Sequence, residues 1–496
     1  MKRSRNTETI KKENEKVKKS LTVCLLVALM LFTSVFSGGF SGQKESKQRK
    51  STGVELPNKN TPISEGAVYY VATDGDNNNP GTFKAPWKTI QKAADMAGPG
   101  DIVYVRGGIY NEKIIMDNSG SDGAYITFEN FEEEIPVIDG EGLTVGENNE
   151  ENGVIIVKDK SYIRIKGFHI TNYISTNEYV PTGIKVIGAG KNIEILKCKV
   201  YGIEAICTND VIEDRNAHGI AVYGTNGEKS LDSVVIDGCE VYGNILGLSE
   251  SVVLNGNVTN FRVTNNKVHD NDNIGIDFIG FEETAPSNDQ ARDGICSDNE
   301  VWNISSVNNR AYDDECADGI YVDGGKNILI ERNKVWNCDI GIEAASEHAG
   351  RITDNITIRS NLVYGCKAVA GIAFGGYDEK RGRAKNIRIY NNTLYDNELN
   401  ILIQFGCQYD TNAIKNNILY KGNDFDGDKE NIVISNNITD NPLFVNEAGK
   451  DFHLTSDSTA IGAGIYDEFI GKLDLDSSDR FKGSNVDCGA YESRNN

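Results

Sequence analysis

IEILKCKVYG (193–202), VVIDGCEVYG (234–243), FRVTNNKVHDN (261–271), ILIERNKVWNC (328–338), ITIRSNLVYGC (356–366), IRIYNNTLYDN (387–397) and AIKNNILYKG (413–422) decide the fold. Each reads as a short apolar strand, a turn and a second short strand. Aligned with their weaker relatives, they put Cys198, Cys239, Asn266, Asn299, Asn333, Asn361, Asn392, Asn417 and Asn437 in one column. A turn column of Asn or Cys recurring every 20 to 40 residues suits coils stacked about 4.8 Å apart, each inward amide bonding the backbone of the next. Working outward from these turns, a second unit is an apolar strand opened by glycine: GIKVIG at 183, GIAVYG at 219, GIDFIG at 275, GIYVDG at 319, GIEAAS at 341 and GIAFGG at 371.

Composition agrees with many tight turns between short strands: 54 Asn and 51 Gly but only 9 Pro among 496 residues,. The net charge of -22 argues against a nucleic-acid backbone or an anionic lipid surface as partner. Eight Lys/Arg precede an apolar run at Leu21 to Phe32, too short to span a bilayer comfortably. Residues 1–37 are therefore expected to be a secretory signal, a retained N-terminal anchor being the other reading. Residues 38–66 read as a flexible linker, 67–491 as one repetitive domain and 492–496 as a tail. The ten cysteines include no CxxC and no Cys/His cluster, so they are expected as buried column residues with few or no disulfides, without zinc. No P-loop, nucleophile elbow or dinucleotide fingerprint appears.

Chemistry is expected where acids interrupt the neutral outer face of the Gly-Ile strands. Alternation from the inward Ile puts Ile155, Lys185, Ala221, Val253, Asp277, Tyr321, Glu343, Ala373 and Leu402 in one outward column, and Val157, Ile187, Tyr223, Asn255, Ile279, Asp323, Ala345, Gly375 and Gln404 in the next,. Acids thus concentrate at Asp277, Asp323 and Glu343. The same coils carry long excursions after Gly280, before Asp318, after Ser346 and after Gly376, which suit the walls of a groove. Tyr223, Phe281, Tyr321 and Tyr377 are candidates to stack on sugar rings, with Arg383 a further substrate contact. Two chemistries fit. Asp277, Asp323 and Glu343 as a hard-oxygen Ca2+ site, with His348, Lys380, Arg381 or Arg383 as base, suit β-elimination on a uronate. An Asp/Glu pair at glycosidase spacing suits hydrolysis, with no cofactor. Non-catalytic carbohydrate binding at a surface is the third possibility.

The opening text, GAVYYVATDGDNNNPGTFKAPWKTIQKAADMAGPGDIVYVRGGIYNE from Gly66, predicts a strand at 68–72, a helix at 87–96 and a strand at 102–105. It resembles the DUF1565-like opening module of secreted, pectate lyase-like β-helix proteins, and DFHLTSDSTAIGAG and DCGAYE resemble their closing segment. The resemblance implies an all-β fold: a single-stranded right-handed parallel β-helix with an N-terminal capping helix, acting on polysaccharide as a monomer outside the cell. It implies a calcium-dependent lyase in one branch and an Asp/Glu xylosidase in another. The Ser-Asp-Asp-Gly run of the lyases is missing; AYDDECADG at 311 is spaced differently.

Overall fold

The computed structural model describes residues 66–207, 211, 215–312, 314–376, 378–481 and 485–493. The expected signal segment, all but the last residue of the linker, Cys24 and Tyr377 lie outside the described residues.

Three parallel sheets of 15, 11 and 11 strands run along the molecule, and the chain passes from one to the next as it coils. The expected Gly-Ile strands occupy one of the 11-stranded sheets. Its register runs Ile184 to Ile220, Ile220 to Val252, Val252 to Ile276, Ile276 to Ile320, Ile320 to Ile342, Ile342 to Ile372 and Ile372 to Ile401. All of these side chains are buried in one continuous core, each worth about 1.5–3 kcal/mol relative to exposure.

The Asn column stacks. The Asn266 backbone N–H donates to Asn299 Oδ1 at 2.9 Å, Asn299 to Asn333 at 3.0 Å, Asn333 to Asn361 at 2.9 Å, Asn361 to Asn392 at 3.0 Å, Asn392 to Asn417 at 2.9 Å and Asn417 to Asn437 at 3.0 Å. Each turn forces the preceding residue into the left-handed region, including Arg332 at φ 54° and Ser360 at φ 55°. That conformation costs roughly 1–2 kcal/mol for a residue with a Cβ, which the buried amide bonds offset. All nine described cysteines are free, and Cys198 and Cys239 occupy the column as anticipated.

The capping helix is shorter than expected. It spans Ile90–Met96, with Thr89 as N-cap accepting from the Lys92 N–H at 3.2 Å. The Glu112 carboxylate accepts the Ile90 and Gln91 N–H groups, both at 2.9 Å. Trp87 belongs instead to a bridge with Val71 and stacks on Tyr69 at 4.6 Å. At the other end, an antiparallel pair, Phe444–Asn446 and Asp451–Leu454, replaces the parallel pattern. The closing segment folds back over earlier coils: Arg480 is fully buried and donates to Ser360 Oγ at 2.9 Å and to the Ala490 carbonyl at 3.0 Å. Glu492 is buried and its N–H donates to Asp474 at 3.0 Å, so packing extends into the expected tail.

One register expectation is corrected. Lys185 pairs with Ile156 and Ile187 with Lys158; Ile155 and Val157 point into the core. The strand there starts one residue out of step with the later Gly-Ile units.

Candidate functional site

The three expected acids lie on one face of the Gly-Ile sheet. Val253, Asp277, Tyr321, Glu343, Ala373 and Leu402 are register partners in that order, and Asp323 stands beside Ala345. They do not line a bare surface. Asp277, Asp323 and Glu343 are 2%, 4% and 3% exposed, because the excursions fold over the strands and turn the expected open face into a covered floor.

The acids divide between two ends of the floor. At one end Glu343 accepts from Gln404 Nε2 at 2.8 Å and shares a hydrogen bond with Asp318. Burial pushes Glu343 up to about 7; burial and then the Glu343 charge hold Asp318 well above the carboxylate range. At the other end Asp323 Oδ1 accepts the Glu347 backbone N–H at 3.0 Å, while Oδ2 lies 3.7 Å from His348 Nε2. Burial, followed by the charges of Glu347 and Asp277, raises the Asp323 pKa well above normal. Asp277 is raised by burial and then by Glu250, Glu282 and Glu347, and its Oδ1 has no partner. Glu282 sits on an exposed turn with its carboxylate folded inward onto Asn255 Nδ2 at 2.7 Å. That enclosure, then Glu250, pushes it up to about 7.

Glu282, Asp323 and His348 each offer a ligand atom within 4.8 Å of the others, the one such group of three among the described residues. Of the expected Asp277, Asp323 and Glu343, only Asp323 belongs to this group; Glu343 bonds Asp318 and Gln404. Of the basic candidates, His348 and Arg381 face the acids. Burial, then Arg351 and Arg381, lowers the His348 pKa; Arg381 bonds Asp378 at 3.0 Å and its charge reaches Glu347. Lys380 and Arg383 instead line a hollow of about 430 Å3 with Phe405 and Tyr409.

The aromatics are covered or engaged. Tyr321 is buried, and its hydroxyl donates to Glu347 at 3.2 Å. Tyr223 packs on Ala221, Val253 and Ile279, with its hydroxyl 2.9 Å from His218 Nε2. Phe281 holds the Arg351 guanidinium 4.9 Å from its ring centre. Of these three, Tyr321 is buried, while Tyr223 and Phe281 stay partly exposed. Tyr377 lies outside the described residues.

Sequence reasoning missed Asp318, Glu347, Glu282 and Glu250. Glu347 was legible: the alternation Glu343, Ala345 continues to it. Asp318 was not, because the opening glycine interrupts the alternation. The residue before it joins the outer face, as Ile340 and Ala370 do by packing with Ala373 and Leu402 apart from the main core. Glu282 and Glu250 lie outside the strands and carry no periodic signal.

A Pel9A-like right-handed β-helix model matches residues 69–245, which include the opening module, and a right-handed β-helix model matches residues 252–398. The chain belongs to the pectate lyase-like superfamily of right-handed parallel β-helix proteins. It is 39% identical to the uncharacterized protein YwoF of Bacillus subtilis over 384 residues, 75% of this chain and 80% of that one. It is 28% identical to pectate lyase PEL9 of Emericella nidulans over 166 residues, 28% of this chain and only 40% of that lyase. Among solved structures it resembles pectate lyase Pel9A, with TM-score 0.52 at 16% identity over 87% of this chain and 97% of that one. It also resembles the GH136 lacto-N-biosidase from Eubacterium ramulus, with TM-score 0.56 at 15% identity over 76% and 68%. At such identities these two structures share its fold.

Proposed function

We propose that the protein is an extracellular polysaccharide-degrading enzyme, a lyase that cleaves a uronate-containing, pectate-like glycan by β-elimination. One observation carries this reading: Asp277, Glu282, Asp318, Asp323, Glu343 and Glu347 crowd one covered face of a Pel9A-like β-helix. Ionised, so many carboxyl groups would repel an acidic glycan and one another, so each must either keep a proton or share a cation. The pectate lyase names among the relatives point the same way, and the basic, apolar N-terminus supports secretion.

A divalent cation held by Glu282, Asp323 and His348 would neutralise the uronate carboxylate and acidify the adjacent proton. The chain's own groups do the rest. The Glu347 N–H fixes Asp323, and the Tyr321 hydroxyl fixes Glu347. With His348 holding the cation, Arg381, whose charge reaches Glu347, is the basic group left beside the acids to take that proton. The Asp318–Glu343 pair, with Glu343 pushed up to about 7 by burial, would supply the proton to the departing glycosidic oxygen as the C–O bond breaks,.

Hydrolysis is the second reading, favoured by Glu343 at about 7, the poise of a general acid,. Asp318 cannot be its partner, because carboxyls in hydrogen-bond contact leave no room for the roughly 5–9.5 Å glycosidase spacing; Asp323 would serve. Incubation with pectate, alginate, glucuronan and xylan separates the readings. An ultraviolet-absorbing unsaturated uronate supports the lyase, new reducing ends without absorbance support the hydrolase, and binding without cleavage ends both. Asp323→Asn and Glu343→Gln should each cut turnover by about 100-fold or more.

A further inference from the structure

We infer that the cation of this floor is a borderline transition-type ion such as Zn2+, Mn2+ or Co2+, bound by Glu282, Asp323 and His348, rather than Ca2+. The assignment deepens the lyase reading and depends on it for catalytic meaning, though not for binding.

Donor chemistry decides first. Calcium takes six to eight oxygens and has little use for an imidazole, whereas one imidazole with carboxylates suits Zn2+ or Mn2+. The acids expected to make an all-oxygen cage do not converge, since Glu343 is committed to Gln404 and Asp318. Geometry agrees. Asp323 Oδ2 and His348 Nε2 stand 3.7 Å apart, too far for a hydrogen bond and close to the ~3.4 Å between ligand atoms sharing a tetrahedral ion at about 2.1 Å. His348 Nε2 is enclosed and lacks any hydrogen-bond partner.

Asp277 adds negative charge beside the site: it is 2% exposed, stands on the same face one strand from Asp323 and has an Oδ1 with no partner, but it lies outside the group of three that can reach one ion. Outer contacts orient the ligands as metal sites require. The Glu347 N–H occupies Asp323 Oδ1 and leaves Oδ2 toward His348; Asn255 Nδ2 occupies Glu282 Oε2 and leaves Oε1. With its Nε2 lone pair on the ion, His348 is a ligand and cannot be the base that removes the substrate proton.

The test uses the full chain stripped with chelator and dialysed, then titrated calorimetrically with Zn2+, Mn2+ and Ca2+, and with Co2+ read by visible absorption. The expected result is one Zn2+ or Co2+ per chain, bound at least about 100-fold more tightly than Ca2+. His348→Gln should cost about 100-fold in Zn2+ affinity, leave Ca2+ binding unchanged and abolish the Co2+ ligand-field bands. If His348→Gln does not fold, Glu282→Gln is measured in its place, with the same loss expected. Calcium binding as tight as zinc, absence of any stoichiometric site, or Zn2+ affinity unmoved by both variants would overturn the inference. A bound Zn2+ without unsaturated product from any uronate glycan would leave the metal assignment standing and sink the lyase reading.

Discussion

Replacing Asn333 by alanine should destabilise the coil between the strands of Asp323 and Glu343. Asn333 is fully buried. Its Oδ1 accepts from the Asn299 N–H at 3.0 Å and from Asn299 Nδ2 at 2.9 Å; its Nδ2 donates to the Cys296 carbonyl and to Asn361 Oδ1, both at 3.0 Å. The substitution removes all four bonds. The Asn299 N–H loses its acceptor outright, at about 1–3 kcal/mol, and the remaining three bonds bring the total to about 3–5 kcal/mol. Exposed Asn423, whose amide bonds only the Glu398 carbonyl at 3.3 Å, is the control and should lose under about 1 kcal/mol as Asn423→Ala. Solenoid coils unfold as coupled neighbours, so two measurements are needed: denaturant unfolding followed by Trp302 and Trp336 fluorescence, and hydrogen exchange at the Asn299 amide. A loss below about 1 kcal/mol with an Asn299 amide still protected would refute the ladder as the device that holds the coils in register.

Two further expectations concern pH. Burial raises Glu343 from 4.5 to about 7 in the folded chain, so its contribution to stability is fully present below pH 4.5 and is lost as pH rises through 7. Melting of the metal-free protein between pH 4.5 and 8 should therefore fall more steeply than that of Glu343→Gln, by on the order of 3 kcal/mol; parallel curves would rule this out. Lys185 is buried with Nζ on the Asn149 carbonyl at 2.5 Å, and burial lowers it from 10.5 to about 8. Its contribution is present above pH 10.5 and lost as pH falls through 8. Lys185→Met should gain melting temperature over wild type progressively between pH 10 and 7, and a constant difference would show that Lys185 stays charged throughout.

The Asn column and the Gly-Ile strands were legible in the sequence because both are periodic. An Asn that bonds the next coil must recur once per coil, and an inward Ile must recur at one position of each strand, so alignment of the chain with itself located the sheets, the core and the outer face bearing Asp277, Asp323 and Glu343. Depth and pairing were decided by the tertiary structure. The alternation gives a direction for each side chain but not what lies above it, so acids expected on an open face turned out to be covered by the excursions. It also cannot say which acids meet. Glu343 joined Asp318 and Gln404 from other coils, while Asp323 met His348 and Glu282 from two aperiodic loops. Loops have no repeat to constrain them; their path over the floor is set by contacts such as Asn255 with Glu282 and Phe281 with Arg351, which exist only once the coils are stacked.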